Sequence, residues 1–431
     1  MNQQMNQQRQ NRVVIVGAGH GGTNAAALLR QQGFEGEVVL LSEESSLPYQ
    51  RPPLSKGFLK AEMAGTELLI KPDGFYAEQD IDLRLDVRVD RIDTAAKEVG
   101  LGDGSRLGYD SLVFATGAVP RRVTAPGAGL RNVCELRTRG DADMIASQLR
   151  VGTRIVIIGG GYVGLEVAAS ARHHDAEPVV LEREGRVLAR VASVELSAWL
   201  TDHHRQNGTQ IETDADVVEF VDRGDGSVGS VVLADGRSFE CDVALVGVGA
   251  IPCEELAREA GLVCDGGVLV DGNAFTGVDG VYAIGDVTRR PLHHYEGTFR
   301  LESIPSAVEQ AKQAVSAILG RPAPKPELPW FWSDQFDVKV KIAGILGGID
   351  NTVLRGDPAS GKFALYHCRD ERIIAVESVN SSSDFMAGKQ LIERRVLIDP
   401  ARLADEEVSL RELATEGETA NLSGVSGGLG A

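Results

Sequence analysis

The sequence predicts an α/β protein: two Rossmann-like domains, one inserted into the other, followed by an α+β C-terminal domain. Three observations carry that expectation. Glycine-rich fingerprints recur at Gly17 and Gly159, each between an apolar run and a helical stretch. Two related strand-plus-glycine stretches, "YDSLVFATGAVPRR" and "CDVALVGVGAIP", mark points where the chain crosses between domains. A proline-rich connector, "RPAPKPELP", then sets off a final segment with strand-like runs.

The first fingerprint lies in "RVVIVGAGHGGTNAAALLRQQGFEGEVVLLSEE". "VVIV" suits a buried parallel strand. Gly17, Gly19 and Gly22 form GxGxxG, and the helical stretch "TNAAALLRQQ" stops at Gly33. "EVVLL" reads as the second strand, ending at Ser42, Glu43 and Glu44. The first glycine permits the tight turn, the second admits a pyrophosphate to the backbone, and the third lets helix and strand pack closely. The helix N-terminus then stabilises the phosphate charge. A lone GxGxxG is weak evidence; within strand–turn–helix–strand–acid it is strong.

The second fingerprint, "TRIVIIGGGYVGLEVAASARHHDAEPVVLERE", repeats every part with Gly159, Gly161 and Gly164. Its second strand ends at Glu182, which favours a free ribose 2′-hydroxyl and repels a 2′-phosphate, hence NADH over NADPH. Arg183 follows directly and would soften that preference. Two such units imply two dinucleotides, between which a hydride can pass.

Further on, "GVYAIGDVTRRP" places Asp286 at a strand's carboxyl end, where an acid can hold a polyol hydroxyl. "ESIPSAVEQAKQAVSAILG" reads as a helix, with Pro305 near its start and Gly320 at its end. Beyond the connector, "VKVKIAGIL" and "KFALYHC" read as strands and "FMAGKQLIERRV" as a helix. The expected domains are 12–119 with 247–325, then 120–246, then 326–412, with flexible tails at 1–11 and 413–431.

Composition narrows the function. Charge totals −18, against the positive face a nucleic-acid binder needs. No apolar run approaches the ~20 residues of a membrane span, and "MNQQMNQQRQN" has no apolar segment of a secretory signal. The five cysteines form no CxxC pair, which points to reduced thiols in a cytoplasmic protein. The His-His pairs point their rings apart and chelate poorly, so no metal site is expected.

The motifs "VVIVGAGHGG", "LPYQRPPLSK", "ATGAVPR", "VIIGGGYVGLE", "YAIGDV", "RLESIPSAVEQA" and "PWFWSDQ" carry a resemblance from about Arg12 to about Val408. The chain resembles the FAD-dependent NADH:ferredoxin reductase family, the putidaredoxin reductase-like components of oxygenase systems. "PYQRPPLSK" and "FWSDQ" are more specific than either GxGxxG. The resemblance implies FAD contacts at Gly21, Glu43, Arg51, Lys56, Val89, Arg137, Asp286, Ile304 and Trp332, beside the glycines of the first loop. It implies NAD contacts at Gly159, Gly160, Gly161, Tyr162, Val163 and Gly164, with Glu182 at the adenosine ribose. It also implies a catalytic ion pair between Lys56 and Glu166 beside the flavin, the carboxylate keeping the buried ammonium charged.

The implied activity is electron transfer from NADH through FAD to a 2Fe–2S ferredoxin that supplies a haem monooxygenase or a ring-hydroxylating dioxygenase. A rubredoxin reductase and an NADH oxidase are alternatives. A redox-responsive interaction protein of the apoptosis-inducing-factor kind is a remote one. An acidic ferredoxin calls for a basic docking patch, for which Arg289, Arg290 and Arg300 are candidates. The chain is expected to be a monomer or a weak homodimer. His20 and Cys253 depart from the usual pattern without removing a group the chemistry needs. A disulfide reductase would carry a cysteine pair after the first fingerprint; this chain has "PYQRPPLSKGF", so electrons are expected to leave for an outside carrier.

Overall fold

The computed structural model describes residues 11–415, so most of both expected tails lies outside the described residues. The described chain divides into two compact units. Unit one holds the residues up to Gln50, with Gly65–Val119 and Ala250–Glu327; unit two holds Arg51–Ala64, Pro120–Gly249 and the residues from Leu328 on.

Unit one is built on a parallel sheet in the order Val281–Ala283, Ser111–Phe114, Arg12–Val16, Glu37–Leu41, Ile81–Arg84. The strand Arg12–Val16 pairs on both edges, with Val14 opposite Val39 and Leu112. Its alternate residues serve opposite faces, as a strand's period of two requires. Val13 and Ile15 pack with Ala25, Leu29, Ala311 and Val315, on the side of the helices His20–Gln31 and Ile304–Ile318. Val14 and Val16 pack with Val89, Val99 and Leu107 of a three-stranded antiparallel meander. Coverage of both faces explains why "VVIV" is apolar throughout.

Unit two repeats the design. Its parallel sheet runs Gln210–Glu212, Glu177–Leu181, Arg154–Ile158, Val243–Val246, Val133–Cys134. Val156 and Ile158 pack with Phe220 and Val231 of a second antiparallel meander, and the helix Tyr162–His173 packs against this sheet. The same unit carries an antiparallel sheet in the order Trp330–Gln335, Val338–Gly344, Arg372–Val379, Lys362–Arg369, Asn351–Asp357. The helix Ser382–Arg394 lies against it through Phe385, Leu391 and Ile392. This is the α+β portion. The stretch Arg51–Ala64, which opens with a short 3₁₀ turn at Pro52–Ser55, is fastened to Tyr162–His173. Ser170 donates to the Ser55 carbonyl at 2.8 Å, and the His174 ring bonds the Leu59 carbonyl at 2.7 Å.

Candidate functional site

Each parallel sheet ends its central strand in the same turn. Gly17 and Gly159 both sit at φ 107°, where a side chain is strained. A Cβ there would also run into the carbonyl of Ala115 or Gly247. Gly22 and Gly164 pack just as tightly, each against the carbonyl of the first glycine of its own loop. By contrast, a Cβ on Gly19 or Gly161 would meet nothing within 4 Å. These two are the N-caps of the helices His20–Gln31 and Tyr162–His173, and neither cap is closed by a side-chain hydrogen bond. Open backbone N–H groups at a helix N-terminus, with room beside them, fit a pyrophosphate. Both loops therefore suit a dinucleotide.

Around the first loop, Gly21 faces Ile284, and Glu43 is exposed at the end of Glu37–Leu41. Val89 is buried at the start of its meander strand. Asp286 lies in the 3₁₀ turn Gly285–Val287, half-buried. That turn is tied to the helix Ile304–Ile318, whose Gln310 accepts from the Gly285 N–H at 2.7 Å and from the Thr288 hydroxyl at 2.9 Å. Ile304 opens this helix, capped by Ser303.

In unit two, Glu182 is already oriented at the second loop. Its carboxylate accepts from the Gly160 N–H at 2.7 Å and the Glu184 N–H at 2.8 Å. Val163 is exposed beside the loop. Tyr162 turns its ring edge-on to Phe331 and its hydroxyl inward, so only its backbone can serve the nucleotide. Arg51 donates to the Arg137 carbonyl at 2.7 Å, and the Arg137 N–H is anchored on Asp141, which closes the capping box of Arg139–Gln148.

Lys56 Nζ stands 3.1 Å from Glu166 Oε1 and 3.8 Å from Asp334 Oδ2, with the Trp332 ring 5.8 Å away. Glu166 is only 6 % exposed. It accepts from the Ser55 hydroxyl on one oxygen and from the Ser333 hydroxyl on the other, both at 2.5 Å. Burial pushes its carboxyl above the ordinary range, and Lys56 with the two hydroxyls opposes that rise. Ser55, Ser333 and Asp334 were not among the residues expected from sequence. The signal was present in "FWSDQ": alternation along Trp330–Gln335 sends Ser333 and Gln335 to one face, where both are buried.

One expectation is corrected. Arg290 is 3 % exposed and ion-paired at 2.6 Å with the equally buried Glu309, so it cannot belong to a docking surface. Arg289 and Arg300 are partly exposed, beside Asp265 and Glu302. The three buried thiols lend themselves poorly to redox work: burial pushes Cys134 and Cys241 up to about 12 and Cys368 to about 11.

Residues 11–311 match the family described as pyridine nucleotide-disulphide oxidoreductase, and residues 330–414 match the reductase C-terminal family. Among curated relatives, a probable ferredoxin reductase, CtmF, of Castellaniella defragrans is 45% identical, covering 94% of this chain and 98% of that one. The ferredoxin–NAD(+) reductase subunit of a benzene 1,2-dioxygenase system of Pseudomonas putida is 38% identical, covering 95% and 98%. The reductase in a covalent putidaredoxin reductase–putidaredoxin complex superposes with a TM-score of 0.92 at 36% identity, covering 95% of this chain and 99% of that one. With both domain families matched and relatives at this identity spanning nearly the whole chain, the protein belongs to the pyridine nucleotide-disulphide oxidoreductase family, among its ferredoxin reductases.

Proposed function

We propose that the chain is an NADH-dependent flavoprotein that reduces a 2Fe–2S ferredoxin serving a haem monooxygenase or a ring-hydroxylating dioxygenase. The observation that carries this reading is the pair of open glycine cradles in one chain. Bound FAD supplies the chemistry of taking two electrons together from NADH and giving them up singly.

The protein's part is binding and electrostatics. The N-terminus of His20–Gln31 holds the flavin pyrophosphate, Glu43 the adenosine ribose and Asp286 the ribitol. Gly21, Val89 and Ile304 line the same cofactor, and Arg51, Arg137 and Trp332 are proposed contacts on the same grounds. The N-terminus of Tyr162–His173 and Glu182 do the corresponding work for NADH. Lys56, paired with Glu166, presents its ammonium to the flavin. Pro52 and Pro53 stiffen the segment that presents Lys56.

The flavin domain is 12–119 with 247–325, the nicotinamide domain 120–246 and the interface domain 326–412. The ferredoxin docks near Arg289 and Arg300. The enzyme works in the cytoplasm as a monomer or weak homodimer; among the described residues no helix is long and apolar enough to cross a membrane.

The test is cytochrome c reduction by the gel-filtered, FAD-loaded enzyme with NADH. Reduction is expected only when a 2Fe–2S ferredoxin is added. Equal rates without any carrier would favour an oxidase, and activity confined to rubredoxin would change the partner. Slow NADH oxidation with every acceptor would bring back the interaction-protein reading.

A further inference from the structure

The Glu166 carboxylate is the end of a hydrogen-bond chain that runs away from Lys56 into the interior. Ser333 donates to Glu166 Oε1 at 2.5 Å, Gln335 Nε2 donates to the Ser333 hydroxyl at 3.0 Å, and His204 Nε2 meets Gln335 Oε1 at 2.8 Å. All four side chains are buried, Gln335 and His204 completely. The last atom, His204 Nδ1, is enclosed and has no hydrogen-bond partner.

Such a chain has two possible polarities. Drawn with every proton pointing towards Glu166, His204 carries its proton on Nε2 and Ser333 donates to Glu166 Oε1, a donor that favours the ionised carboxylate over the protonated acid. Reversed, Glu166 must be protonated and donate to Ser333, Ser333 to Gln335, and Gln335 to His204. His204 would then carry its proton on Nδ1, leaving a buried donor unpaired. An orphaned buried N–H is rarer and costlier than an unused lone pair, so the enclosed Nδ1 selects the first polarity. We propose that Ser333, Gln335 and His204 are positioning residues that keep a hydroxyl donor aimed at Glu166 Oε1 and so favour its ionised form beside Lys56.

The charged and titratable groups around the chain agree with this assignment. Glu166 faces Lys56, with Asp334 beyond it, and the enclosed Tyr162 hydroxyl lies within electrostatic range of both Glu166 and Glu377. His204 faces Gln335, the Phe336 ring and its neighbour His203, which itself meets Asp337 at 3.2 Å. Burial keeps His204 neutral, pushing its pKa down to about 4. The positioning role rests on the reading of Lys56 and Glu166 as the flavin-side pair.

The test uses the full FAD-loaded chain. Imidazole ¹⁵N shifts are expected to show His204 in the Nε2–H tautomer. The Glu166 carboxyl ¹³C signal, identified by its loss in Glu166→Gln, is followed against pH in wild type, Ser333→Ala and Gln335→Leu. Each variant is expected to weaken Glu166 ionisation at least about tenfold, with Ser333→Thr restoring it. The acidic limb of the NADH-driven reduction rate moves to higher pH in step, while the alkaline plateau stays within about twofold. An Nδ1–H tautomer, or a Glu166 midpoint unmoved in whichever variant folds, overturns the proposal. A midpoint that moves while the rate profile does not supports the positioning and overturns the flavin-side reading of the pair.

Discussion

Removing the Lys56 ammonium leaves the Glu166 carboxylate enclosed by two hydroxyls with no adjacent cation, a state that costs about 3–5 kcal/mol for a buried pair broken on one side. Protonation is the way out. Glu166 already titrates above an ordinary carboxyl, and losing Lys56 raises it further. A raised acid destabilises the fold where it is ionised, and stability returns as pH falls through its folded pKa. The stability deficit of Lys56→Met is therefore expected to grow as pH rises above the ordinary carboxyl range, and to be larger at pH 8 than at pH 5. Urea denaturation checks this, and Lys56→Met with Glu166→Gln should regain stability at pH 8; an equal loss at both pH values would mean the pair is not electrostatically coupled. Lys56→Met is also expected to slow NADH-driven flavin bleaching about tenfold, an effect of about 1.4 kcal/mol on the barrier. An unchanged rate would make Lys56 a loop residue. Glu182, held by two backbone N–H groups, is the residue proposed to discriminate against a 2′-phosphate. Glu182→Ala is expected to reduce the NADH-over-NADPH ratio of kcat/KM about tenfold, and an unaltered ratio would shift that role elsewhere. These acids were legible because each closes a strand or sits in a motif. Ser333 and Gln335 stood in the same quoted motif and were missed, because only the fold shows which face of Trp330–Gln335 meets Glu166.

The elements differ in how far local sequence decides them. Both glycine turns were readable, because the positive φ of Gly17 and Gly159 and the crowding at Gly22 and Gly164 are requirements of a few adjacent residues. The order of the antiparallel sheet, with Arg372–Val379 between Val338–Gly344 and Lys362–Arg369, was not readable, because it is settled by pairing between distant strands. Arg290 misled for the same reason: its neighbours in sequence look like a basic patch, and only the packing of Ile304–Ile318 brings Glu309 to it. Where the helix Val194–Gln206 presents His204 to Gln335, the folded state holds a neutral imidazole with a pKa of about 4. The unfolded chain takes up that proton near its ordinary value of about 6.5. Stability from this group is thus present above the unfolded pKa and is lost as pH falls towards 4, up to about 3 kcal/mol. Wild type should lose more stability across that window than His204→Gln, as urea midpoints would show; parallel losses would exclude the helix–strand contact as the cause. Near the end of the described chain, Arg355 donates to the carbonyls of Leu403, Asp405, Glu406 and Val408 and pairs with Asp384 at 3.2 Å. Arg355→Ala is expected to speed hydrogen exchange through 403–413 at least about tenfold, and unchanged protection there would show that apolar packing alone holds the segment.

At the scale of the whole molecule, a chain of net charge −18 must receive a partner that is itself acidic if it is a ferredoxin of the usual kind. The two net charges repel at long range, so productive encounter depends on a local basic feature that wins inside roughly a Debye length, about 8 Å at physiological salt. Of the three arginines first considered, Arg290 is spent on Glu309 in the interior, whereas Arg289 and Arg300 reach solvent. Their carboxylate neighbours do not disqualify them, because exposed pairs of this kind are worth about 0–1 kcal/mol and exchange readily for an incoming carboxylate. Arg289→Glu with Arg300→Glu is therefore expected to lower the second-order rate of ferredoxin reduction about tenfold at low ionic strength. The deficit should close as salt approaches about 0.5 M, where the Debye length is only a few ångströms. NADH-driven flavin bleaching, which involves no ferredoxin, is the internal control and should not change. A rate that is insensitive to both substitutions, or a deficit that persists in high salt, would place the docking surface elsewhere. A wild-type rate that climbs with salt would show that the repulsion between the two whole molecules outweighs any local patch.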